Sequence, residues 1–297
     1  MSFVPYGVVP AMVTPFDQQD RLNETVLRAL AARLLEAGVH GLFVLGSQGE
    51  YFALDYDEKR RAIEVVVEAA AGKVPVYAGT GATTTGEAIR LTRMAEEAGA
   101  DAVSVITPTF ISPTQDELYE HYRDIAASTR LPLLLYSNPG RTGIQISVDL
   151  ATRLSRIDNI VGIKDSSGDF SLTAAYIASA GQDFRVFAGR DTLIFATLMY
   201  GGSGAIAATG NVAPRLVASI YEHYVSGDLN AARAAQAALA PLRAAFSLGT
   251  FPAVVKEALQ MTGLDVGPAR KPVGPLSEKA RTQLRDVLGT LGLLAEV

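Results

Sequence analysis

The chain has 297 residues, a formal net charge of −5, 48% hydrophobic and 19% charged residues and no cysteine. That suits one globular α/β barrel with a small appendage, and it excludes disulfides, thiolate metal sites, cysteine nucleophiles and a basic face for nucleic acid. The three histidines, His40, His121 and His223, lie far apart without metal-ligand spacing; the opening stretch, broken by Pro5, Pro10 and Pro15, does not read as a signal peptide, and no apolar run is long enough to cross a membrane. A cytoplasmic enzyme is the expectation.

Short β-rich runs alternate with amphipathic stretches along the chain. Residues 7–13 read as a strand and 24–37 as a helix; 40–45 and 57–71 repeat the unit. Strands at 74–78, 101–106 and 131–136 are followed by helices near 85–98, 115–128 and 148–155. Strands at 160–164, 184–188 and 204–207 are followed by helices near 171–180, 192–200 and 214–225. Eight such units predict an α/β fold, the closed (β/α)8 TIM barrel, over residues 1–226. Glu36-Ala37-Gly38-Val39 and Glu97-Ala98-Gly99-Ala100 share the glycine that ends a helix before a strand. Beyond, residues 228–246, 252–262 and 277–288 read as three helices, a C-terminal helical extension over residues 227–297 that packs on the barrel.

Catalytic groups in such barrels come from the C-terminal ends of the strands. Lys164 stands at the end of the run Asn159-Ile160-Val161-Gly162-Ile163-Lys164-Asp165. An ammonium there is costly unless paired, solvated or neutralised, and a neutral lysine amine forms Schiff bases with carbonyl substrates. Taken alone, a packed stem with its charge reaching water is the commoner case. After the second strand comes Gly46-Ser47-Gln48-Gly49-Glu50, a turn whose N–H groups can hold an anion. The fifth strand ends in Tyr136, which can exchange protons with a substrate hydroxyl or carbinolamine. Arg141, in the loop that follows, can grip a carboxylate.

Taken together and in this order, these motifs resemble the dihydrodipicolinate synthase and N-acetylneuraminate lyase family of pyruvate-dependent lyases. The likeness runs from Gly7-Val8-Val9-Pro10-Ala11-Met12-Val13-Thr14-Pro15-Phe16 to Gly210-Asn211-Val212. It implies that Lys164 forms a Schiff base with pyruvate, that Tyr136 shuttles the proton, and that Ser47 orients the Tyr136 hydroxyl. It further implies that the Ser47 and Gln48 N–H groups of the Gly46 turn hold the pyruvate carboxylate and that Ile206 lines the pocket. The resulting enamine adds to an aldehyde or, in reverse, leaves a cleaved 2-keto-4-hydroxy acid. The resemblance implies no metal or organic cofactor, and a homotetramer built as a dimer of dimers.

Two positions depart from the family's synthases. Gln48 replaces a second hydroxyl residue, and Phe110, in Thr107-Pro108-Thr109-Phe110, replaces a tyrosine that reaches a neighbouring subunit's proton relay. Both departures count against a synthase; Gln48 and the run Gly204-Ala205-Ile206-Ala207-Ala208-Thr209-Gly210-Asn211 resemble aldolases and dehydratases for 2-keto-3-deoxy sugar acids or 4-hydroxy-2-oxo acids, the substrate expected here. Arg141 instead matches the synthases that condense pyruvate with aspartate semialdehyde. Two readings of another class stay open: a non-catalytic keto-acid-binding barrel, and a phosphate or flavin barrel using Gly189, Arg190 and residues 201–204.

Overall fold

The computed structural model describes residues 4–181 and 183–295, so the outer ends of the two expected segments lie outside the described residues. Apolar runs bounded by glycine, proline and polar turns form eight strands: β1 (Gly7–Pro10), β2 (Leu42–Val44), β3 (Val76–Gly79), β4 (Ala102–Ile106), β5 (Leu133–Ser137), β6 (Ile160–Asp165), β7 (Arg185–Ala188) and β8 (Gly204–Ala207). All pair in parallel, with β1 beside β8 and the order running back through β7 to β2. A bridge between Ala11 and Phe43 closes the circle. There the Met12 N–H donates to the Phe43 carbonyl and the His40 N–H to the Val8 carbonyl, each at 2.9 Å. The expected (β/α)8 barrel is the observed fold.

Side chains alternate across each strand with a period of two. Leu133, Leu135 and Ile163 therefore meet the outer helices, whereas Leu134 and Phe187 join Val9, Phe43, Tyr77 and Ile206 in the barrel interior. Tyr136 follows Leu134 on the inward row, and Lys164 is its register partner on β6. Gly162 opens that row on β6: a Cβ there would lie 2.2 Å from the Arg185 carbonyl oxygen and 2.9 Å from Leu134 Cδ2. Only glycine lets the two neighbouring strands approach so closely just below Lys164.

The outer helices begin at side-chain caps. Asp55 with Glu58, and Thr114 with Glu117, form complete capping boxes at the helices Tyr56–Ala70 and Gln115–Ala127. Two local features differ from expectation. The strand expected over 7–13 is observed over Gly7–Pro10; Ala11 and Met12 still bond to Ala207 and Phe43, and the Val13 N–H leaves the sheet for Asn211 Oδ1 at 3.1 Å. The loop after β5 also contains a short helix, Pro139–Thr142, started by proline and stopped by Gly143 in the left-handed region.

Helices Leu229–Ala245, Ala253–Met261 and Glu278–Thr290 form after the last barrel helix, Pro214–Val225. They bury one face each; Ala280, Leu284 and Leu288 recur one turn apart along the last of them. The first helix and the segment after it bring Arg243, Phe246 and Phe251 to the mouth of the barrel.

Candidate active site

A cavity of about 340 Å³ opens at the C-terminal ends of the strands. Lys164 from β6, Tyr136 from β5, Ile206 from β8 and Ser47 and Gln48 after β2 all line it. Arg141 joins them from the short helix after β5, and Arg190 and Asp191 from the turn after β7.

Lys164 is 4% exposed. Its ammonium lies 4.1 Å from the centroid of the Tyr136 ring and 5.0 Å from that of Phe43. Among the described residues no carboxylate and no hydrogen-bond acceptor meets it. The amine is therefore held between two aromatic faces and directed into the cavity.

The Tyr136 hydroxyl accepts a hydrogen bond from Asn138 Nδ2 at 2.9 Å and also interacts with Ser47 and Ser166. Burial pushes the phenol up, but the Lys164 ammonium and the bonds to Ser47, Asn138 and Ser166 outweigh it and hold the group below its ordinary value. A buried phenol tuned in this direction can give and take a proton beside an amine.

Asp165 braces the end of β6: its Oδ1 accepts the Ser167 N–H at 2.9 Å and its Oδ2 the Thr173 hydroxyl at 2.6 Å. The Ser166 N–H donates to the Ser137 carbonyl at 2.8 Å, which extends the β5–β6 pairing one step past Lys164. Arg190 donates from Nε to the Ser166 carbonyl at 3.2 Å. Asp191, buried, accepts the Thr209 N–H on Oδ2 at 2.8 Å.

The sequence signals thus converge, with Phe110 and Gly46 set apart from the rest. Phe110 is not in the cavity: its side chain is 100% exposed and its backbone is left-handed, with φ at 73°. The first residue of that loop, Thr107, is buried and shares a 2.7 Å hydrogen bond with the Thr142 hydroxyl, which anchors the loop before it turns outward. Gly46 also stands outside the main cavity, in a small separate void with Phe43, Tyr51 and Tyr136. Asn138, Ser166, Asp191, Arg243, Phe246 and Phe251 line the cavity without having been singled out. The hydroxyl pair following Lys164-Asp165 is the signal that could have found Ser166. Nothing in the spacing of the C-terminal helices points to Arg243.

The cavity carries a strong charge bias. Lys164, Arg141, Arg190 and Arg243 face a single carboxylate, Asp191. None of the three guanidiniums has an ion-pair partner among the described residues; Arg141 stacks instead on Phe251, at 3.8 Å from the ring centroid. Among the described residues there is also no group of three or more potential metal ligands.

The Dihydrodipicolinate synthetase family model matches residues 4–291. The chain belongs to this family. It is accordingly an enzyme of the class I, pyruvate-dependent, Schiff-base-forming lyases. It is 41% identical over 298 residues to the 4-hydroxy-tetrahydrodipicolinate synthase of Methanopyrus kandleri, covering 100% of this chain and 99% of that one. The dihydrodipicolinate synthase of Thermotoga maritima superposes with a TM-score of 0.95 at 36% identity, over 97% of this chain and 99% of the other. The enzyme from Acinetobacter baumannii, solved with pyruvate bound, gives a TM-score of 0.95 at 35% identity over the same shares, 97% and 99%. No described helix is long and apolar enough to cross a membrane.

Proposed function

We propose that the enzyme joins pyruvate to a carboxylated aldehyde, the reaction of the 4-hydroxy-tetrahydrodipicolinate synthases, with aspartate semialdehyde as acceptor. The Lys164 amine adds to the keto carbon of pyruvate, and Tyr136 passes a proton to the carbinolamine hydroxyl as it leaves as water. The resulting protonated imine draws electrons from the methyl carbon, which loses a proton and becomes an enamine. That carbon attacks the aldehyde, whose oxygen takes up a proton; addition of the acceptor's own amino group, or of water, at the imine carbon then breaks its bond to Nζ and restores Lys164. The Ser47 and Gln48 N–H groups hold the pyruvate carboxylate, and Ser47 orients the Tyr136 hydroxyl.

The observation that carries the choice of acceptor is the unpaired trio Arg141, Arg190 and Arg243 around the cavity of Lys164. A carboxylated aldehyde gives those cations a counter-charge, and Asp191, which lines the same cavity, offers one for its ammonium. The neutral aldehyde half of a 2-keto-3-deoxy sugar acid leaves them unmatched. The names of the relatives support the same choice.

One observation favours the sugar-acid reading: Gln48 lines the cavity and its buried Oε1 lacks a hydrogen-bond partner among the described residues, as an acceptor waiting for a substrate hydroxyl would. Assaying pyruvate with aspartate semialdehyde beside pyruvate release from 2-keto-3-deoxygluconate and 4-hydroxy-2-oxoglutarate separates the two. The proposal expects the condensation to have the highest kcat/KM. A faster cleavage of either keto acid overturns the choice of acceptor while leaving the imine chemistry standing.

The exposed Phe110 occupies the position from which the family's synthases reach a neighbouring subunit. We infer a homotetramer on that resemblance; light scattering of the purified protein giving a monomer would contradict it.

A further inference from the structure

The loop that presents Ser47 and Gln48 is bounded by two non-glycine residues in the left-handed region, Leu45 with φ at 60° and Glu50 with φ at 53°. Such a backbone costs energy for residues with a side chain and persists only where the surroundings fix it. Glu50 is the fixed end. It is 0% exposed, and its carboxylate lies far from the solvent that would normally hold it.

What holds it comes from the C-terminal extension. Glu50 Oε1 is 2.6 Å from Lys256 Nζ, and Oε2 accepts the Arg270 N–H at 2.9 Å. Lys256 is itself 3% exposed, donates to the Pro268 carbonyl at 2.8 Å and lies 4.3 Å from the centroid of the Phe16 ring. Within the loop, the Glu50 N–H donates to the Ser47 carbonyl at 3.2 Å and the Gly49 N–H to the Gly46 carbonyl at 3.0 Å. Thr14 adds a bond from its hydroxyl to the Gly49 carbonyl at 2.6 Å. A fully buried ion pair is a weak source of stability, because desolvation offsets most of its attraction. Its directional value is larger: it fixes one carboxylate, and so the turn that carries it, relative to Lys256 and Arg270.

We propose that Glu50 and Lys256 are positioning residues for the reaction: the C-terminal extension sets the place of the Ser47–Gln48 turn opposite Lys164 through this buried pair. The extension is then part of the catalytic apparatus besides covering the barrel. The inference rests on the pyruvate-imine reading of the cavity, because it assigns the turn to pyruvate.

Lys256→Met alone strands a buried carboxylate and can prevent folding, so the test uses Lys256→Met combined with Glu50→Gln, which removes both charges with little change of shape. Lys256→Arg, which keeps the pair, is the conservative control. For each protein one measures melting temperature, KM for pyruvate, KM for the aldehyde, and the rate of borohydride trapping of pyruvate. The expected result is a folded double variant whose pyruvate KM rises about tenfold or more and whose trapping slows in step. Its aldehyde KM stays near wild type, because Arg141, Arg190 and Arg243 are untouched, and Lys256→Arg recovers most of the loss. A folded double variant with wild-type pyruvate KM and trapping rate overturns the inference, as does an equal rise in both KM values. Failure of the wild-type protein to trap pyruvate at Lys164 would instead overturn the imine reading itself.

Discussion

Tyr136 and Lys164 are register partners on adjacent parallel strands, with the ammonium 4.1 Å from the phenol ring centroid. The barrel makes this pairing inevitable. Both residues sit on the inward row at the C-terminal end of their strands, one step past the interior layer that includes Leu134, Phe187 and Ile206. The lysine supplies the positive charge that holds the tyrosine down, and in the proposed reaction the tyrosine carries the proton for the lysine chemistry.

Tyr136→Phe keeps the aromatic wall beside Lys164 and removes the hydroxyl. Imine formation should persist but slow, and kcat should fall by roughly 10²–10⁴-fold, the usual contribution of a positioned acid–base group. Steady-state kinetics with single-turnover trapping checks this. A variant with wild-type kcat would remove Tyr136 from the proton path.

The phenol's titration has a definite sign. Burial acts to raise it, and the Lys164 ammonium is the largest influence that lowers it. In the wild-type protein the phenolate absorbance assigned to Tyr136, by difference from Tyr136→Phe, should appear below pH 10, the ordinary phenol value. In Lys164→Met burial dominates and the same signal should move up. Folding linkage follows: a phenol that ionises more readily when folded contributes stability that is complete above the unfolded value and is lost as pH falls through the folded one. Tyr136→Phe should therefore lose ground to wild type as pH rises toward 10.

Arg141→Leu removes one of the three unpaired guanidiniums and its stacking on Phe251. A charge-assisted hydrogen bond is worth about 1.5–3 kcal/mol, so the aldehyde KM should rise by roughly 10–100-fold while pyruvate trapping is unchanged. Loss of trapping instead would place Arg141 on the pyruvate side of the cavity.

Arg270 ties the extension to the barrel through Glu58, with contacts at 2.5 and 2.6 Å, and through Asp20 at 3.1 Å. The bond from Arg270 is the largest influence on Glu58 and holds its carboxyl below the usual range. Such a group contributes stability above its unfolded value, and that stability is lost as pH falls through the folded one. Arg270→Met should cost about 1–3 kcal/mol at pH 7 by denaturant unfolding, because it unpairs Glu58. The difference from wild type should begin to shrink as pH falls below the ordinary glutamate value and should close only once pH passes the lower value Glu58 has when folded. A constant difference down to low pH would show that packing of Arg270 over Phe16, not its charge, carries the effect.

The fold was legible because each strand announced itself as an apolar run closed by glycine or proline, and the expected 204–207 and 214–225 match the observed β8 and Pro214–Val225. Lys164, Tyr136, Ser47 and Arg141 were legible for the same reason: strand ends locate barrel chemistry. The substrate was less so. Gln48 drew the reading toward sugar acids, whereas the charge that opposes it comes partly from Arg190, just after β7 and read there for another ligand, and from Arg243, which only tertiary packing brings to the cavity. Phe110 lies on a loop that turns outward and does not meet the cavity of its own subunit, a placement the local motif does not show. Glu50 was part of the recognised motif, but its partners Lys256 and Arg270 lie in the C-terminal extension, beyond the reach of any local pattern.

In the proposed reaction everything turns on Lys164 as the imine-forming amine. Incubation with pyruvate and borohydride, followed by peptide mass analysis, tests it most directly. The expected product carries the mass of one reduced pyruvate imine on the peptide containing Lys164, with none in Lys164→Met, which should remain folded because a buried unpaired ammonium is replaced by an apolar chain. An unmodified wild-type Lys164, or a pyruvate adduct that persists at another lysine in Lys164→Met, would contradict it.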